Sequence, residues 1–74
     1  GSWNEAIEDA TVALETYPNN VEALLIRSRA WLNRDDLGNA ETDMNRALLI
    51  DGKNIDTLVL RGDIREAKRL ASDG

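Results

Sequence analysis

Residues 16–25 read TYPNNVEALL, and thirty-four positions later residues 50–59 read IDGKNIDTLV. Each stretch leaves an apolar-periodic segment, crosses a polar turn with Asn near its close, and restarts on an acidic-then-apolar pattern. Pro18 ends any helix before it, because the residue preceding a proline is pushed out of the α region. Asn19 has capping-box spacing to Glu22, Asn20 is a second candidate for the same N-cap, and Asn54 is the expected cap after the second turn. In the second turn Gly52 can supply a left-handed C-cap. The same junction written twice in 74 residues predicts repeated helical units.

The segments between the junctions agree. Ala6, Ile7, Ala10, Ala13 and Leu14 recur at three- and four-residue steps, which places them on one face of a helix. Ser2 stands three residues before Glu5, the spacing of a capping box. Ala23, Leu24, Ile26, Arg27, Ala30 and Trp31 form a second stripe. The polar turn 33–36 follows, with Asp36 as the expected cap of a third helix carrying Leu37, Ala40, Met44, Ala47 and Leu48. A fourth stripe holds Leu58, Val59, Leu60, Ile64, Ala67, Leu70 and Ala71, and residues 72–74 are expected to fray. The expectation is one all-α domain over residues 3–72, with helices over about 3–17, 20–33, 36–50 and 54–71. Turns this short make neighbouring helices antiparallel. Gly1 and Ser2 read as a remnant of tag removal.

Composition narrows the partners. The net charge of −5 disfavours nucleic acid and anionic membrane, both of which are bound through clustered Lys and Arg. Arg61, Arg65, Lys68 and Arg69 gather near the C-terminus but alternate with Asp63 and Glu66, as on a solvated helix face. No apolar run approaches the length of a membrane span. There is no Cys and no His, so the chain has neither a disulfide frame nor the usual zinc ligands or nucleophile–base pair. Asp35-Asp36 reads as a helix cap rather than a metal or acid–base pair. Arg61-Gly62-Asp63 spells an integrin-recognition tripeptide, yet falls inside an expected helix rather than an extended loop. No catalytic, cofactor or metal site is predicted.

Sliding the chain against itself by thirty-four positions aligns Ala6 with Ala40, Asp9 with Asp43, Ala13 with Ala47 and Leu14 with Leu48. It also aligns Asn20 with Asn54, Leu24 with Leu58 and Arg27 with Arg61, while Ser28 meets Gly62. Two helices per thirty-four residues is the period of tetratricopeptide repeats, and over about residues 3–68 the chain resembles that family. The resemblance rests on the paired alanines, on Pro18, on the small residues Ser28 and Gly62 where helices cross, and on the aromatic Trp31. Departures are Gly52 in place of a turn proline, Arg27 and Arg61 where Leu is usual, and Arg65 in place of an aromatic. In phase, the chain holds the second helix of one repeat, one whole repeat, and the first helix of the next.

The resemblance implies either a right-handed helical array or, if the end helices shield each other, a compact four-helix bundle. It further implies a non-enzymatic module that holds a peptide or partner helix in a groove lined by first helices. Carried over, the groove residues are Glu22, Leu25, Arg29, Leu32 and Asn33, joined by Asp56, Val59, Asp63 and Glu66 from the last helix. This mainly acidic lining suits a basic or amphipathic protein partner. Leu25 and Arg29 stand where some family members place residues that clamp a C-terminal carboxylate, so that specificity is not expected. Trp3 and Trp31 are further candidates as partner anchors, with packing the commoner role for Trp31. An engineered helical protein with no natural ligand is the alternative. Either a monomer or self-association through the uncapped end helices is compatible with the phase.

Overall fold

The computed structural model describes residues 2–73. Four helices follow one another: α1 (Ser2–Thr16), α2 (Val21–Asn33), α3 (Leu37–Ile50) and α4 (Ile55–Asp73), with no strand among the described residues. Each packs on the next, and α4 also reaches α2. The backbones of α1 and α4 stay apart, so the helices lie as an open array in a slab of 39 × 31 × 15 Å rather than as a closed four-helix bundle. None of these helices is long and apolar enough to cross a membrane.

The repeat seen in the letters is reproduced in the hydrogen bonds of the two junctions. The N–H of Tyr17 donates to Ala13 O at 2.8 Å, and that of Asp51 donates to Ala47 O at 2.9 Å. Asn20 N–H closes on Tyr17 O at 3.1 Å, and Asn54 N–H on Asp51 O at 3.2 Å. Asn20 Oδ1 then accepts from Ala23 N–H, and Asn54 Oδ1 from Thr57 N–H, each at 3.2 Å. Asn20, not Asn19, is therefore the cap of α2, and the Asn19 side chain instead faces Arg46. Ser2 lies within α1 rather than at its cap.

Gly52 does not take the expected left-handed conformation; no described glycine has positive φ. Its turn has the same bonding pattern as the turn at Pro18, which needs no left-handed residue. What the position requires is room, since a Cβ on Gly52 would come within 3.2 Å of Leu48 O. Pro18 carries a Cβ in the equivalent turn, and Asp51 (φ −143°, ψ 82°) already sits outside the α region, as a following proline prefers. Gly52→Pro is accordingly expected to stabilise the chain by about 0.4–1 kcal/mol, by restricting the unfolded chain. Urea unfolding measures it; a lower midpoint would mean that Leu48 O cannot yield.

The left-handed residue stands in the other turn. Asp35, at φ 63°, follows α2 in a Schellman arrangement, with Asp36 N–H donating to Trp31 O and Asp35 N–H to Leu32 O, each at 2.9 Å. Asp36 caps α3 as expected, accepting from Asn39 N–H at 3.3 Å.

Close approach of α2 and α3 organises the interior. Ser28 is fully buried and its hydroxyl donates to the backbone O of Ala40 at 2.6 Å, so a small residue on each side sets the helix separation. Ala40, Met44, Leu60 and Ile64 form the core, against which Leu25, Trp31 and Leu32 pack. Arg27 carries a charge into that interface and finds its opposite there. Its Nε and Nη2 donate to the two carboxylate oxygens of buried Asp43 at 2.7 and 2.8 Å. Nη1 donates to Thr11 Oγ1 at 3.2 Å, which in turn donates to Ile7 O, so the network spans α1, α2 and α3. These hydrogen bonds to Asp43 outweigh burial and raise the guanidinium pKa further above its ordinary high value. Thr57, the counterpart of Ala23, is buried with no partner for its hydroxyl among the described residues.

Candidate functional site

Between the separated backbones of α1 and α4, with α2 as its floor, lies a groove of about 680 Å³. From α1 it is lined by Trp3 and Ala6, from α2 by Val21, Glu22, Leu25, Ile26 and Arg29. Asn54, Asp56, Val59 and Leu60 form the opposite wall. Trp3, Ile26 and Val59 remain about half exposed, so apolar surface is on offer at the mouth. Leu25 and Leu60 are covered from behind by the core.

The helix period explains which side chains arrive there. Residues 22, 25, 26 and 29 fall on one stripe of α2, and residues 56, 59 and 60 on the matching stripe of α4. Across the gap, Arg29 Nη1 donates to Asp63 Oδ2 at 2.6 Å. These two are thirty-four residues apart, equivalent positions of successive units. The exposed pair fixes the spacing of α2 and α4 more than it stabilises them, since such pairs contribute only a few tenths of a kcal/mol to about 1 kcal/mol.

Five of the nine carried-over residues therefore line one cavity: Glu22, Leu25, Arg29, Asp56 and Val59. Asp63 joins it through Arg29. Three lie apart. Leu32 turns inward and packs on the core cluster. Asn33, at the end of α2, donates its side-chain amide to Arg29 O at 2.9 Å. Glu66 pairs along its own helix with Arg69. Residues not anticipated are Ala6, Val21, Ile26, Asn54 and Leu60; transfer from first helices alone passes over the α1 wall. Trp3 faces this groove, whereas Trp31 packs on the core with Arg34 over its ring at 5.5 Å.

Electrostatically the groove is acidic. Arg29 spends its charge on Asp63, while the carboxylates of Glu22 and Asp56 form no ion pair among the described residues. Both also stand in the first turn of their helices, where a negative charge is favoured by the helix dipole in any case. The groove thus combines apolar walls, an aromatic edge and two exposed carboxylates.

Over 52 residues the chain is 36% identical to Sperm-associated antigen 1 of Mus musculus, a match covering 70% of this chain and 6% of that protein. The chain thus spans a small fraction of the relative it matches. No family model matches the sequence. No solved structure matches it.

Proposed function

We propose that residues 3–72 act as one tetratricopeptide-like module, non-enzymatic, that holds a basic or amphipathic segment of a partner protein between α1, α2 and α4. The observation that carries this reading is the 680 Å³ groove, where half-exposed Trp3, Ile26 and Val59 lie beside Glu22 and Asp56. The thirty-four-residue echo supports the family, because it extends from residue identities to matched hydrogen bonds in both junctions. A partner helix with Leu or Ile on one side and Lys or Arg at the flanks meets both features: apolar burial supplies affinity and the carboxylates supply orientation. The surface charge contribution is screened by salt.

Titration with a library of amphipathic peptides of graded positive charge, followed by amide chemical shifts, tests this. Shifts are expected along residues 22–29 and 56–63, with little change on the far face of α3. Glu22→Lys with Asp56→Lys is expected to weaken binding of the basic members by about tenfold or more, about 1.4 kcal/mol or more. Both side chains are exposed and unpaired, so the fold should persist. Shifts confined to other surfaces, or affinity indifferent to the charge reversal, would defeat the reading.

A further inference from the structure

The bridge between Arg27 and Asp43 joins the two helices of the complete repeat, and its halves recur alone at the ends of the array. Arg61 is the equivalent of Arg27 and Asp9 the equivalent of Asp43. Neither makes an ion pair among the described residues. The same holds for the small-residue contact. Buried Ser28 lies against Ala40, but its counterpart Gly62 is exposed, and a Cβ there would meet nothing within 4 Å. A mid-helix glycine costs stability relative to alanine, and no contact inside the molecule requires this one. Leu58, equivalent to fully buried Leu24, is likewise 37% exposed. The outer face of α4 thus repeats the α2 face that receives α3, and no helix among the described residues covers it.

The complementary seat lies at the other end. Between α1 and α2 runs a second groove of about 470 Å³, lined among others by Ala6, Asp9, Ala13 and exposed Ile26. Ala6, Asp9 and Ala13 repeat the spacing of Ala40, Asp43 and Ala47, the residues of α3 that face α2. Within the molecule α2 rests on both α3 and α4, and a helix equivalent to α2 would rest in the same way on α1 and α2.

We propose that a second copy of this chain docks head to tail, its α4 entering the groove between α1 and α2. There α4 and α1 would form a composite repeat, with Arg61 of one molecule forked onto Asp9 of the next and Gly62 against Ala6. The occupant is specified by charge complementarity and by the internal template, the contact of α2 with α3, which this chain's own α4 and α1 repeat residue for residue. Such a contact joins unlike surfaces and does not close on itself, so it builds open chains rather than a dimer. The inference rests on the repeat reading above; the two grooves share Ala6, Glu22 and Ile26, whereas Asp9 and Arg61 belong to this contact and line no part of the peptide groove.

Sedimentation of the 74-residue chain over a wide concentration range tests it. The mean mass is expected to rise past that of a dimer. Arg61→Asp and Asp9→Arg should each weaken association about tenfold or more, by facing like charges, and an equimolar mixture of the two should restore it. Gly62→Leu should also abolish association, by blocking close approach, while leaving the monomer folded. A wild-type chain that stays monomeric throughout overturns the proposal, as does assembly untouched by Arg61→Asp and Gly62→Leu, or a mixture that fails to recover. Peptide binding without assembly would sink this inference alone; assembly without peptide binding would sink only the groove.

Discussion

Arg27→Met is expected to destabilise the chain by about 3 kcal/mol, because it strands a carboxylate rather than because it removes an attraction. Asp43 has a side-chain exposure of 6%, and both its oxygens are occupied by Arg27. Without the guanidinium, no other donor among the described residues is bonded to that carboxylate. For a chain of this length the total stability is about 4–11 kcal/mol. A loss of about 3 kcal/mol then lowers the melting temperature by roughly 12–24 °C. The Thr11 hydroxyl loses a partner as well, though it keeps its bond to Ile7 O. The double variant Arg27→Met with Asp43→Leu separates the causes. Replacing both halves of a buried pair by apolar groups is often neutral, so most of the lost stability should return. Thermal unfolding of the single and double variants measures both. A double variant no better than the single would show that the bridge contributes attraction beyond relief of a buried charge.

That bridge marks the boundary of what the sequence discloses. The four helices were legible because their signals are local: apolar residues at helical spacing, Asn54 and Asp36 at the caps, Pro18 at a break. The repeat made the crossing point of α2 and α3 readable through Ser28, whereas Gly62, read in the same way, is exposed and meets no helix among the described residues. Pairing of Arg27 with Asp43 was not readable, because the partners are sixteen residues apart on different helices and only their packing brings them together. Alone, Arg27 looks like a departure from an apolar pattern. Gly52 misled because glycine suits both a left-handed cap and a tight approach, and only its nearness to Leu48 O distinguishes them. Asp35 was overlooked for the opposite reason: aspartate before a helix signals a cap, although it also tolerates the left-handed region better than most residues. In the groove, residues of α2 and α4 followed from helix phase. The wall from α1 did not, since it depends on α1 and α4 remaining apart instead of closing on each other.

Ile64→Ala is expected to cost a further figure of the same size, about 3 kcal/mol, but to distribute it differently. Ile64 is wholly buried in the cluster of Ala40, Met44 and Leu60, where it fastens α4 to α3. A cavity at that point weakens one interface of a sequential array. The pairing of α1 with α2 and of α2 with α3 does not involve it. In such arrays stability is close to a sum of unit and neighbour terms, so the loss falls on the last element. Buried Leu60 and Thr57 still tie α4 to the array, while the exposed Arg29–Asp63 and Lys68–Glu41 pairs add little. Hydrogen exchange should therefore show amides of α4 losing protection well before those around Ser28 and Ala40 in the variant. Leu49→Ala, at an 89% exposed position, serves as the control and should change stability by no more than about 0.5 kcal/mol. Uniform loss of protection across all four helices would mean that the array unfolds as a single cooperative unit. In that event α4 could not undock independently, and Asp56 and Val59 would leave the groove only when the whole chain unfolds.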